Sequence, residues 1–108
     1  MPELLPIFSA LSDQTRFAIF ERLLHDGAQP AGALSEAFPV SKPAISRHLA
    51  VLHEAGLISR QVEGTRRIYA ARPDGILAIQ DWLEKHHLFW SESFDRLDTL
   101  IKKDASDA

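Results

Sequence analysis

The residues best suited to chemistry in this sequence are cations concentrated in one segment. Residues 41–72 contain six basic and two acidic side chains, so this segment carries a formal charge of +4. The rest of the chain carries −7, which gives the net charge of −3. The basic residues are Lys42, Arg47, Arg60, Arg66, Arg67 and Arg72. One basic block on an otherwise acidic chain is expected where a single face meets phosphates, although a solvated basic face would have the same composition.

Other kinds of chemistry find little support in the sequence. There is no cysteine, which excludes disulfides, thiolate metal sites and cysteine nucleophiles. Ser46 and His48 are two residues apart, so they point in different directions on a helix and do not form a catalytic pair. No phosphate-binding loop or nucleophile elbow is present. We therefore expect neither an enzyme nor a bound cofactor.

The possible metal ligands lie near the C-terminus and do not form a complete set. They are Asp81, Glu84, His86, His87 and Glu92. The two adjacent histidines point about 100° apart on a helix, whereas Glu84 and His87 could supply two ligands from one face. A full site needs three or four ligands. No metal site is predicted, and a metal-responsive regulator that uses these side chains remains the alternative.

The first half of the chain predicts four helices. Apolar residues at helical spacing indicate a helix over about 3–11, and Ser12 is expected to cap the second helix, which Gly27 ends. Pro30 suits the start of a third helix, and Pro39 stops it. A fourth helix follows after three residues. Two short helices joined by a tight turn predict a helix-turn-helix over about 30–56.

The fourth helix, from Lys42 to about Ala55, has the clearest local signals. Ser41 is the expected N-cap, and Gly56 is placed to end the helix in a Schellman motif. Ile45, Leu49 and Leu52 form one apolar stripe, which predicts that the opposite side faces outward.

Polar residues on that outward side are the predicted DNA contacts. Arg47 can form two hydrogen bonds to a guanine edge in the major groove, and Arg66 and Arg67 could reach a minor groove or its phosphates. The full prediction for contacts with double-stranded DNA is Ser41, Lys42, Pro43, Ser46, Arg47, His48, Arg60, Arg66 and Arg67.

The second half predicts a β-hairpin and one long helix. The hairpin, or wing, covers about 57–72 with its tip at Gly64, and the helix covers about 76–103, followed by a flexible tail at 104–108. The expected fold is mainly α with a small β-hairpin wing, in the order α-α-α-α-β-β-α. It forms a single winged helix-turn-helix domain over residues 1–103.

Both terminal helices carry more apolar side chains than so small a domain can cover, which predicts a homodimer. The predicted interface residues are Leu4, Ile7, Phe8, Leu11, Trp82, Phe89, Trp90, Phe94 and Leu97. Residues 1–12 lack the basic start of a signal peptide, and no apolar stretch is long enough for a bilayer. We therefore expect a cytoplasmic protein without a membrane partner.

Three stretches of the sequence resemble the arsenical-resistance repressor (ArsR) family of regulators. They are the opening at 11–16, the run from Val40 to Leu52 with its exit at 55–58, and the wing at 64–69. The resemblance implies a dimer joined by its first and last helices, which represses its own or neighbouring genes. Two-fold pairing of the subunits in turn predicts an inverted-repeat operator. Members that sense metals use cysteines, which this chain lacks, or Asp and His pairs on the last helix, for which this sequence has no matched pairing. A winged-helix module that binds proteins and not DNA is the other alternative.

Overall fold

The computed structural model describes residues 3–107, except for the side chains of 88–91 and 104–107. Over this range the elements are α1 (Leu4–Leu11), α2 (Gln14–Asp26), β1 (Gln29–Pro30), α3 (Ala31–Ala37), α4 (Lys42–Glu54), β2 (Ile58–Glu63), β3 (Arg66–Ala71), α5 (Pro73–Lys85) and α6 (His87–Asp107). The chain separates into two compact units, the first ending at Ala78 and the second beginning at Ile79. The predicted fold class, mainly helical with a small antiparallel sheet, is confirmed.

The junction between α1 and α2 differs by one residue from the prediction. Asp13, and not Ser12, caps α2, because its carboxylate accepts the backbone N–H of Arg16 at 2.9 Å. The Ser12 hydroxyl instead donates to the carbonyl of Ser9 at 2.7 Å and closes the end of α1. Both residue types are good caps, so the sequence alone did not decide between the two neighbours.

The helix α4 forms as predicted because both of its ends are fixed by local signals. Ser41 Oγ accepts the backbone N–H of Ala44 at 3.3 Å. At the other end Gly56 adopts a φ of 80°, and the N–H of Leu57 donates to the carbonyl of Leu52 at 3.1 Å. This is the Schellman ending, whose left-handed position favours glycine.

The sheet contains one strand that the hydrophobic pattern did not indicate. Its strand order is β1-β3-β2, and the two-residue β1 pairs with β3 through Gln29↔Tyr69 and Pro30↔Ile68. The predicted hairpin is present, with Glu63 opposite Arg66 and a two-residue loop in which Gly64 has a φ of 64°. A positive φ at the first loop position alone is the type II′ pattern.

The core of the first unit lies between α1, α2, α3, α4 and the sheet. Its largest fully buried side chains are Ile7, Ile19, Leu23, Leu34, Ile45, Leu49, Leu52, Leu57 and Ile58. The apolar stripe of α4 therefore faces inward as predicted. The start of α5 also reaches this core, since Gly75 is buried and lies directly against Leu57.

The single long helix expected over 76–103 is wrong. The structure has two helices, and α5 begins earlier, with Pro73 in its first turn. His86 separates them, and its Nδ1 lies 2.8 Å from the carbonyl oxygen of Trp82. A histidine that hydrogen-bonds to a carbonyl at the end of a helix does not change the spacing of the apolar residues, so this spacing did not predict the end of α5. The helix end expected at about residue 103 is also corrected, because α6 continues to Asp107, with no glycine or proline to end it earlier.

Candidate nucleic-acid interface

The outer face of α4 presents the polar residues that the sequence predicted there. Lys42, Pro43, Ser46 and Arg47 are exposed, whereas Ile45 and Leu49 on the opposite side are buried. Ser41 is exposed too, but its hydroxyl is used as the helix cap. The exposed side chains share the first turns of the helix, the part that leads into a major groove in helix-turn-helix proteins.

The hairpin divides its arginines between two faces. Side chains alternate along a strand, and the register pairs Arg60 with Tyr69 and Val62 with Arg67. Arg60 and Arg67 therefore share one face, and both line a groove whose other wall is α4, with Ser46 and His53. Arg66 lies on the opposite face, across from Glu63. The side chains of Arg66 and Arg67 thus leave the hairpin on opposite faces, a separation that the sequence alone did not indicate.

The exposed cations on these two elements have no partner within the described part of the chain. The side chains of Lys42, Arg47, Arg60, Arg66 and Arg67 donate no hydrogen bond and form no ion pair there. Arg72 differs, because Nη2 lies 2.7 Å from Oδ2 of Asp74. The last cation of the basic block is therefore neutralised locally, and the other five are available for phosphates or base edges.

His48 occupies a different environment from the other predicted contacts. Its side chain is only 21% exposed, and Nδ1 lies 3.3 Å from Nη1 of Arg16 and 3.9 Å from Oδ2 of Asp13. The N–H of Arg16 lowers the pKa of the Asp13 carboxyl; partial burial opposes this shift, and the positive charge of Arg16 reinforces it. The acceptor nitrogen of His48 is thus turned toward α2.

Two residues of this region were missed by sequence reasoning. His53, in the last turn of α4, is exposed and lines the groove with Arg60 and Arg67. His53 lies seven residues, or two helical turns, after Ser46, so a helical wheel places both side chains on the same side of α4. No local sequence pattern marks Arg16, because its side chain contacts Ala10 of α1 and His48 of α4, which only the folded chain brings together.

The predicted interface residues have mixed surroundings. Phe8 is 42% exposed, Phe94 65% and Leu97 54%, whereas Leu4, Leu11 and Trp82 are half-buried. Ile7 is fully buried within its own unit and has no surface to offer a partner. Leu5, 80% exposed, was not named from the sequence. The side chains of Phe89 and Trp90 lie outside the described residues.

The histidine and carboxylate side chains of the described residues are separated from one another or paired locally. Within them no three His, Asp or Glu side chains converge on one point. Asp81 is paired with Lys85 at 3.0 Å, and His86 Nδ1 is held by the Trp82 carbonyl. None of the helices in the described ranges has the length and apolar character that a membrane span requires.

Comparisons with known proteins agree with this geometry. A family model described as a helix-turn-helix domain matches residues 11–61. The chain is 40% identical over 100 residues to HTH-type transcriptional regulator Rv2034 of Mycobacterium tuberculosis (strain ATCC 25618 / H37Rv), covering 93% of this chain and 90% of that protein. It is 36% identical to the transcriptional repressor SdpR of Bacillus subtilis (strain 168), covering 71% and 84%.

A solved structure extends the match to the fold. The ArsR-like transcriptional regulator from Rhodococcus sp. RHA1 is 30% identical, with a TM-score of 0.74 over 90% of this chain and 91% of that one. The fold and the matches to regulators together define a winged helix-turn-helix transcriptional regulator. The chain belongs to the ArsR family of these regulators.

Proposed function

We propose that this protein is a sequence-specific DNA-binding repressor that acts as a homodimer on an inverted-repeat operator of its own or neighbouring genes. The observation that carries the proposal is the set of unpaired, exposed cations on α4 and the hairpin. The repressor activity is supported by the similarity to the transcriptional repressor SdpR. We place the protein in the cytoplasm, where its proposed partner, double-stranded DNA, lies.

The two elements have different roles in this proposal. Arg47 and Ser46 on α4 read base edges in the major groove, since a guanidinium can make two hydrogen bonds to guanine O6 and N7. Lys42 contacts phosphate. Arg60 and Arg67 line the groove of the protein between α4 and the hairpin, and they contact the phosphates that flank the bases read by α4. Arg66, on the other face of the hairpin, contributes charge alone.

The dimer is proposed from the apolar surface of the terminal helices. Leu5 and Phe8 lie one turn apart on α1, and Phe94, Leu97 and Ile101 lie on successive turns of α6. Leaving such side chains in water costs about 25 cal/mol for each Å² of apolar area. A two-fold pairing would also supply two recognition helices for successive major grooves, about 34–36 Å apart.

The experiment is selection of bound duplexes from a random pool, followed by footprinting on the promoter of the protein's own gene. We expect an imperfect inverted repeat whose half-site centres are one helical turn apart. Recovery of sequences with no shared motif, at an affinity that salt abolishes, would contradict sequence-specific repression. Failure to retain any duplex, even at low salt, would favour the winged-helix interaction module instead.

A further inference from the structure

Arg16 joins three helices of the first unit. Its Nε donates to the carbonyl of Ala10 at 2.8 Å, and its Nη2 makes a longer contact of 3.5 Å with the carbonyl of Ser9. Its Nη1 lies 3.3 Å from Nδ1 of His48 on α4. Its backbone N–H is held by Asp13 at the start of α2.

The contacts to Ser9 and Ala10 fix the end of α1. Carbonyls in the last turn of a helix have no intrahelical N–H partner. The carbonyl of Ser9 already accepts from Ser12, and that of Ala10 accepts from Arg16, whose charge also suits the helix dipole. A guanidinium presents its donors in a planar fork of fixed geometry, so one side chain can hold these carbonyls and a third acceptor at the same time.

The contact to His48 fixes the rotation of α4. Apolar burial of Ile45, Leu49 and Leu52 attaches this helix to the core, but the hydrophobic effect has no direction. A hydrogen bond does have direction. Arg47 immediately precedes His48, so the two side chains point about 100° apart around the helix axis, and an inward-facing His48 keeps Arg47 turned toward solvent.

We propose that Arg16 is a positioning residue for DNA reading, which sets the orientation of α4 through His48. This inference rests on the proposed function. It also gives His48 a role different from the one that the sequence predicted, because the imidazole acts through Arg16 and does not contact phosphate.

The test uses a matched pair of variants at position 48 in the full chain. In His48→Asn the amide oxygen takes the place of Nδ1, so the acceptor for Arg16 remains. In His48→Leu the shape is similar but the acceptor is lost. Arg16→Ala removes the donor. Arg22→Ala is the control, since Arg22 lies on the same helix and pairs only with Asp26 on the surface.

Binding is measured by fluorescence anisotropy on the selected operator and on a random duplex, over a range of salt concentrations, with melting curves beside it. We expect Arg16→Ala and His48→Leu to lose about tenfold of the operator-to-random affinity ratio, as one charged hydrogen bond is worth about that factor. Random-duplex affinity and salt slope should stay at wild-type values. His48→Asn and Arg22→Ala should match the wild type throughout.

Three results would overturn the inference. If His48→Asn loses about one unit of the salt slope, His48 contacts a phosphate directly. If Arg16→Ala weakens operator and random duplex by the same factor, in step with its melting temperature, Arg16 only supports the fold. If the wild type itself shows no preference for any sequence, the proposed function fails, and the positioning role fails with it.

Discussion

The arginines of the basic segment differ in what surrounds them, and this difference decides what each can do. Arg72 is held by Asp74, Arg67 faces the groove beside α4, and Arg66 lies on the other face of the hairpin. Arg47 is exposed on α4 with no partner in the described chain. Charge counting alone treats these residues as equal.

Replacement of Arg47 by alanine tests base reading. We expect a loss of about 1–3 kcal/mol on the operator and little change on random DNA, because a bidentate contact to guanine is lost. Arg66→Ala is the comparison, and it should weaken both duplexes evenly and flatten the salt dependence. Titrations of both variants on both duplexes provide the check. The same loss on both duplexes for Arg47→Ala would show that this residue binds phosphate.

The cap at Asp13 predicts a dependence of stability on pH. Its pKa is lowered in the folded chain, chiefly by the N–H of Arg16, so the folded state binds fewer protons there than the unfolded state. The contribution to stability is therefore present above the unfolded-state pKa of about 3.8 and disappears as the pH falls through the lower folded value.

Asp13→Asn isolates this contribution. Asparagine caps a helix about as well as aspartate but does not titrate in this range. We expect urea midpoints measured from about pH 2 to pH 6 to rise less steeply with pH in the variant than in the wild type. Parallel curves would show that Asp13 has the same pKa in the folded and unfolded chain.

Among the elements, α5 packs against the core at Gly75, where the helix backbone lies directly against the side chain of Leu57. A Cβ placed on Gly75 would lie 2.6 Å from Cδ2 of Leu57, which is fully buried and has little room to move. Alanine in a helix gains about 1 kcal/mol over glycine, whereas overpacking a core costs about 1–3 kcal/mol. The clash therefore outweighs the gain in helix propensity.

Gly75→Ala should accordingly lower the free energy of unfolding, as measured by urea denaturation. Gly32→Ala is the matched control, because Gly32 also lies in a helix but has no atom within 4 Å of an added Cβ. This control should be neutral or stabilising. If Gly75→Ala were as stable as the control, the side chain of Leu57 would have to move away from the new Cβ with no loss of stability, and the predicted clash would be contradicted.

The elements that the sequence predicts well are those whose signals are local. The helix α4 begins and ends as expected because Ser41 and Gly56 act within a few residues. The strand β1 was missed because its two residues are held only by pairing with β3. The end of α5 was missed because His86 closes it through its own side chain.

The same distinction applies to the candidate site. Exposure of Lys42, Ser46 and Arg47 follows from helical periodicity once the apolar stripe is known. The inward turn of His48 does not, because it depends on Arg16, which lies 32 residues earlier in the chain. The separation of Arg66 from Arg67 required the register of the hairpin.

For the whole molecule, the proposal requires two subunits, and single substitutions can test the surfaces involved. Leu5→Glu and Phe94→Glu place charge at residues that are 80% and 65% exposed, so the fold of one subunit should tolerate them. Both should weaken dimerisation and, through it, operator binding, since one half-site gives too few contacts. Leu24→Glu, an exposed leucine on α2, is the control. Gel filtration at matched concentration is the measurement. Unchanged elution of both terminal-helix variants would place the interface elsewhere.

The most direct test of the account is sedimentation equilibrium of the wild type at micromolar concentration, alone and with an operator duplex. The account predicts a dimer of the 12.1 kDa chain in free solution and two chains on each duplex. A 12.1 kDa monomer that binds its operator tightly as one chain per duplex would contradict it.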